Sequence, residues 1–422
     1  MTPSTAFATD FIDFIEASPS SYHAAAEVAH RLDGAGYVRR EETEPWDASP
    51  GGHYVVRGGA VVAWWVPAEA SPEPSGFRIV GSHTDSPGFV LKPRGDLTSH
   101  GWNQAGVEVY GGPVLASWLD RELALAGRIV LADGTEQLVD TGPVLRIPHL
   151  AVHLDRSVNT SLTLDRQRHM QPVFAVGDPT VEILDVIADA ATGVAPEDIV
   201  GDDLITVDTQ RGRVFGARSD FIAAGRMDNL TSVFASLDAL AAVGDDATDI
   251  AVLAAFDHEE VGSSTAEGAC GPLLETVLHR TATALGADTD GVHAMLARST
   301  CVSADAAHSV HPNHPEKHDP VNAPVMNAGP VLKVNASRRY ATDGRTTALW
   351  RQACREAGVP CQVFAGNNDV PCGSTIGPLT ATRLGVPTVD VGVPLLSMHS
   401  AREMAGVDDL CWFRDALAAY WS

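Results

Sequence analysis

The period of the hydrophobic pattern changes several times along the chain, and each change predicts an element. Phe11, Ile12, Phe14 and Ile15 fall on one side of an opening helix, and residues 22–32 form a second amphipathic stretch. Strand patterns follow at 52–56, 60–66 and 77–82, the last running straight into the polar turn His83-Thr84-Asp85-Ser86-Pro87-Gly88. From about residue 95 to about 215 the texture changes. Short β-rich segments at 107–110, 114–118 and 126–131 alternate with Gly and Asp turns, and helical patterns are scarce until the 180s. Near Arg226 the alternation of helix and strand resumes. A helix at 229–243 precedes a wholly apolar strand at 250–256, another helix spans about 271–285, and strand–helix pairs continue to the end. This pattern predicts an α/β domain, residues 1–94 and 225–422, interrupted by a β-rich insertion at 95–224.

Polar groups gather where the apolar strands end, which in open α/β sheets is where ligands bind. His83 and Asp85 follow the strand at 77–82, and Asp257-His258-Glu259-Glu260 follows 250–256. Asp305, then His308 and His311, follows 299–303, and His399 follows 388–393. Asp228 opens the helix beginning near Arg226. Taken singly these residues have ordinary readings: a turn hydrogen bond for His83, a solvated loop for Glu259-Glu260, a helix cap for Asp228. Taken together they suit a pair of divalent metals held by imidazole and carboxylate, with an Asp bridging a gap of ~3.5–4 Å. Ligands without thiolate suit Zn, Mn or Co. Two adjacent carboxylates repel, so Glu259 and Glu260 need positive charge nearby. One can bind metal while the other holds water as a general base. Asp85, two residues after His83, can accept the second imidazole N–H and fix the tautomer. His308, His311, His314 and His318 crowd one segment, either as a second metal tract or as hydrogen-bonding loop residues.

Charge narrows the partners. Lys and Arg number 29 against 54 Asp and Glu, so 29 − 54 gives −25. Such a surface repels phosphate backbones and anionic lipid, which argues against nucleic-acid and membrane binding. Six cysteines without a C-x-x-C pair are too sparse for a disulfide framework and read as reduced thiols. The opening residues have neither a basic start nor a continuous apolar core, and no run approaches the ~18 apolar residues of a membrane helix. A cytoplasmic protein is expected.

Seven segments in order (GSHTDSPGFVLKP, GRMDNL, FDHEEVGSSTAEGA, SADAAHSVHPNHPEKH, LKVNASRRYATD, NNDVPCGSTIGP and SMHSAREM) resemble the M18 metallopeptidases, the aspartyl aminopeptidases. The resemblance extends over nearly the whole chain, including IPHLAVHLDRSVN in the insertion. It implies a catalytic domain with a mixed central sheet flanked by helices, and an inserted β-rich domain used for dimerisation. It further implies two divalent ions, zinc foremost, with cobalt or manganese as alternatives. Asp228 would bridge them, His83 and Asp305 would complete one site, and Glu260 and His399 the other. Glu259 would be the general base, and Asp85 would orient His83. Lys333 and Tyr340 match positions that contact the acidic side chain of the substrate. His153, ahead of His149, matches a histidine that reaches a neighbouring subunit's active site. The family removes N-terminal Asp or Glu from peptides and assembles as a dodecamer built from dimers. One departure is visible: His314 stands where relatives usually carry an aromatic residue.

Overall fold

The apolar segment expected at 250–256 is the strand Ile250–Phe256, buried along its whole length. Its side chains alternate between two cores: Ala251, Leu253 and Ala255 point into one, and Val252, Ala254 and Phe256 into the other. A strand covered on both faces belongs at the centre of a largely parallel sheet. In the computed structural model, which describes residues 2–244 and 247–422, it lies within a nine-stranded sheet. Four neighbouring strands there, Ile250–Phe256, Phe77–His83, Thr300–Ala304 and Thr388–Gly392, run parallel. Ala60–Val66 and Val331–Val334 flank them antiparallel, so the sheet is mixed.

Helices cover both faces. Pro3–Glu16, Ser21–Gly34, Met227–Ala241, Gly344–Glu356 and Val407–Trp421 pack on one side; Leu273–Ala284, Thr289–Arg298 and Ile376–Leu384 pack on the other. The stripe read on the first helix docks on Phe234, whose ring lies 5.4 Å from both Phe11 and Phe14. Offset aromatic contacts of this kind add to the area they bury.

A second sheet of seven strands draws on residues 88–208. Its strand Ile199–Asp208 pairs with both Gly88–Ser99 and Glu122–Leu131, which closes the sheet on itself. Phe89, Leu125, Ile129 and Leu204 fill the interior. Gly127 is required at the closure, because a Cβ there would lie 1.9 Å from the carbonyl oxygen of Asp203. The β-rich segment expected at 114–118 is instead a 3₁₀ turn, Leu115–Trp118. The Ser117 amide and hydroxyl both donate to the Val114 carbonyl, at 2.9 and 2.6 Å, so the chain turns and seats Trp118 against Phe89. Arg128 stacks on Tyr22 at 4.5 Å and pairs with Asp203, tying this sheet to the helix Ser21–Gly34. A third sheet of five short strands, Glu403–Gly406 among them, sits at the junction. Among the described residues no helix is long and apolar enough to cross a membrane.

Candidate active site

Parallel pairing brings the strand ends level, with Phe256 opposite His83 and Ala304 opposite Val391. His83 closes its strand, Asp305 follows Ala304, and Glu259 and Glu260 occupy a single 3₁₀ turn just past Phe256. The strand Thr388–Gly392 leads through Pro394–Leu396 to His399. Gly392 permits this convergence, since a Cβ there would lie 1.8 Å from the Asp305 carbonyl oxygen. Asp228 enters from the start of Met227–Ala241 with non-helical φ/ψ, and among the described residues no backbone N–H donates to its carboxylate.

The five expected ligands lie together in two half-sites around Asp228. Its Oδ1 is 3.4 Å from His83 Nε2, which is also 3.5 Å from Asp305 Oδ1. Its Oδ2 is 3.5 Å from His399 Nε2, which is also 3.3 Å from Glu260 Oε2. In each half-site the ligand atoms lie within 4.8 Å of one another.

The tautomers show what belongs there. Nδ1 of His83 lies 3.0 Å from the Asp85 carbonyl, and Nδ1 of His399 lies 3.1 Å from the Gly112 carbonyl. Both therefore donate from Nδ1, and a neutral ring then turns the lone pair of Nε2 toward carboxylate oxygens. Acceptor facing acceptor calls for a cation between. Among the described residues Asp228 Oδ1 and Glu260 Oε1 are buried with no hydrogen-bond donor, which costs about 1–3 kcal/mol or more for a charged group. Divalent cations answer all of these demands, so the residues fit a metal centre.

The titration behaviour says the same. Burial alone would lower the His83 pKa, yet Asp228, Asp305 and Asp85 hold it well above its usual value. Burial likewise opposes the shift at His399, but the Asp228 carboxylate beside its Nε2 and the charge of Glu260 raise it to about 10. Glu259 is pushed up to about 7, by burial first and by Asp305 and Asp228 beyond it, against the pull of His83. Its Oε2 lies 3.9 Å from His83 Nε2, at the edge of the cluster.

Asp85 does more than its spacing predicts. Its carbonyl takes the His83 N–H, while its carboxylate accepts the amides of Glu259 and Glu260 at 3.0 and 3.1 Å. Tyr110, from the inserted sheet, donates to the same carboxylate at 2.7 Å. Lys333 is 2% exposed, and its ammonium donates to Asp305 Oδ2 at 3.3 Å and to the carbonyls of Asp305 and Ala306. Tyr340 lines a cavity of about 280 Å³ together with His308, His311, Lys317, His318 and Cys372. Arg338 and Arg339, the other two cations of LKVNASRRY, lie outside that lining. Of the four crowded histidines, three form this wall and none joins a metal-capable cluster among the described residues. His314 is exposed, with its ring 4.9 Å from that of His311. His153 lies in an exposed stretch away from the cluster, and His149 Nδ1 bonds the Leu150 carbonyl.

Sequence reasoning missed Tyr110, the Gly112 carbonyl and Glu403. Glu403 left a signal, an acidic residue opening the short strand Glu403–Gly406 immediately after SMHSAR. Tyr110 and Gly112 left none, because their contacts exist only once the insertion folds back.

The chain is similar to known proteins along nearly its whole length. Residues 14–421 match the family model described as aminopeptidase I zinc metalloprotease (M18). A probable M18 family aminopeptidase 2 of Streptomyces coelicolor is 50% identical over 97% of this chain and 96% of its own length. The fold superposes on a chain from a cryo-EM structure of an Ape4 and Nbr1 complex with a TM-score of 0.95. That match is 35% identical and covers 99% of this chain and 86% of the other. The mApe1 dodecamer of S. cerevisiae gives a TM-score of 0.87 at 30% identity, covering 98% and 95% of the two chains. The chain belongs to the M18 family of zinc metalloproteases and is a metal-dependent aminopeptidase.

Proposed function

We propose that this aminopeptidase removes N-terminal Asp and Glu from peptides, using two divalent ions, zinc foremost, with cobalt or manganese as alternatives. The observation that carries the two-ion reading is the division of the Asp228 carboxylate, one oxygen toward His83 and Asp305, the other toward His399 and Glu260. When bound, such ions polarise the scissile carbonyl and lower the pKa of a water toward ~7. Glu259 takes a proton from the attacking water and returns it to the leaving amine nitrogen. The water oxygen bonds to the carbonyl carbon, the carbon–nitrogen bond breaks, and the nitrogen leaves protonated. Asp85 holds Glu259 and Glu260 by their amides and keeps His83 in its Nδ1–H tautomer.

Acidic selectivity rests on the cavity that Tyr340 lines. Its walls carry the Lys317 ammonium and the ring nitrogens of His308, His311 and His318, and Tyr340 supplies a further polar tip. Lys333 has its ammonium taken up by Asp305, and burial first and then the Lys333 charge lower the His308 pKa, so that ring serves as a neutral hydrogen-bonding group. Residues 95–224 serve dimerisation within a homo-oligomer built from dimers, a dodecamer as the yeast relative is, and His153 reaches a neighbouring active site. The six free cysteines and a charge of −25 support a cytoplasmic enzyme that binds neither nucleic acid nor membrane. A second reading keeps the metal centre but favours uncharged N-termini. It is supported by Phe364, Val370, Leu396 and Met398 in the same cavity.

The deciding experiment strips the protein of metal, restores Zn, Co or Mn, and follows Asp-, Glu-, Leu- and Lys-p-nitroanilide. Metal-dependent cleavage confined to Asp and Glu is expected. Preferential cleavage of Leu would replace the acidic reading with the second one.

A further inference from the structure

Glu403 is 2% exposed, and among the described residues no Lys, Arg or His side chain pairs with it. Its two oxygens serve two main-chain amides. Oε2 accepts the N–H of Asp228 at 3.0 Å, and Oε1 accepts the N–H of His399 at 2.8 Å. One side chain thus ties together the backbones of the shared ligand and of the outermost ligand. Both backbones need holding. His399 sits at φ 64, a left-handed conformation that costs a non-glycine residue about 1–3 kcal/mol and persists only where its surroundings impose it. Asp228, at φ −85 and ψ 104, is out of register with the helix that follows it. The antiparallel pairing of Glu403 with Ala224 places the carboxylate beside the turn that carries Asp228. Removing a buried carboxylate from water without a cationic partner is costly, so its retention beside the metal ligands asks for a reason.

We infer that Glu403 is a positioning residue for the second half-site: it fixes the separation between Asp228 Oδ2 and His399 Nε2, and so sets the affinity for the ion held by Glu260 and His399. The inference rests on the two-ion reading proposed above. His83, Asp305 and their supports donate no hydrogen bond to Glu403, so Glu403 reaches the first half-site only through the shared Asp228, whereas it holds two of the three ligands of the second.

The test is equilibrium dialysis of the metal-stripped full chain against Zn and Co, counting bound ions per chain, for wild type, Glu403→Gln and Glu403→Asp. Gln offers one oxygen, so its NH₂ must face one of the two amides. Asp is one methylene too short to span both. Wild type should bind two ions. Glu403→Gln should keep the first and bind the second about 10–100-fold more weakly, the range seen when a ligand's supporting partner is removed. Glu403→Asp should fall between and carries the test if the Gln variant fails to fold. Adding excess Co should restore the second ion and, with it, kcat more than KM. Second-ion binding as tight as wild type in both variants would overturn the inference. So would equal weakening of both ions with a lower melting temperature of the metal-free protein, which marks general structural support. A wild type that saturates at one ion overturns the two-ion reading itself, and this assignment falls with it.

Discussion

The two halves of the metal centre use the same chemistry and are built in different ways. Each has one imidazole, one carboxylate of its own and one oxygen of Asp228. In the first half His83 is 1% exposed and Asp305 is gripped by Lys333, and both leave neighbouring strands of the central sheet. In the second half the His399 side chain is 30% exposed, and its support comes from Glu403 and from the Gly112 carbonyl of the inserted sheet. The rest of the segment from Tyr110 to Gly112 is equally close. Gly111, at φ +66, passes so near Glu260 that a Cβ would lie 3.1 Å from the Glu260 Cβ. A half-site drawn from adjacent strand ends is rigid by construction, since moving it means moving the sheet. One assembled from a loop, a junction strand and an inserted domain can move when any of them does.

The largest expected effect tests whether the halves share a ligand at all. Asp228→Ala should remove both ions and abolish turnover, read by ion content after dialysis; one tightly bound ion remaining would break the symmetry on which the comparison rests. Next in size, Glu259→Gln should retain both ions yet lower kcat by about 10²–10⁴-fold, the usual contribution of a positioned general base. The base must be ionised to act, so activity rises with pH through its pKa. Burial pushes that pKa up to about 7 in the absence of ions, and cations beside it draw it down. The acid limb of kcat/KM in the loaded enzyme should therefore lie at or below pH 7 and be absent from the residual activity of Glu259→Gln.

That asymmetry also explains what could be read in advance. The strands at 77–82, 250–256 and 299–303 announce themselves by apolar runs ending in His or acid, because burial on both faces forces the run and the sheet edge exposes its end. Those ends carry His83, Asp305, Glu259 and Glu260, and the apolar run at 388–393 points to His399 in the same way. Dividing these ligands between two half-sites around Asp228 takes the family resemblance. The roles of neighbours were harder still. Lys333 reads as a free cation in LKVNASRRY, but its pairing with Asp390 across the sheet buries it and aims it at Asp305. Segment 114–118 carries β-forming residues, yet Ser117 folds the chain back on Val114 and the turn wins. Such tertiary contacts leave no trace in spacing.

A sharper contrast comes from removing one support on each side. Lys333→Met keeps the length of the side chain and deletes the ammonium that holds Asp305. It should weaken the first ion about 10–100-fold and spare the second, the reverse of the pattern expected for Glu403→Gln. Loss of acidic-substrate cleavage alone, with both ions bound as in wild type, would show instead that Lys333 acts on substrate.

The smallest effect is the one that asks whether the inserted sheet matters to the first half-site too. Tyr110 donates to Asp85 Oδ2, and Asp85 touches both halves, through the ring of His83 and through the amide of Glu260. Tyr110→Phe removes one hydrogen bond to a charged acceptor but leaves no donor stranded, and Asp85 Oδ2 keeps the Glu260 amide. The loss should therefore sit near the lower end of the ~1.5–3 kcal/mol range for such bonds, roughly tenfold in kcat/KM. Because Asp85 serves both halves, affinity for the two ions should fall together and modestly, whereas Lys333→Met and Glu403→Gln each fall chiefly on one. A change confined to the Glu260 and His399 ion would mean that the inserted sheet supports only the half it touches at Gly112. The rigid half would then owe nothing to the insertion.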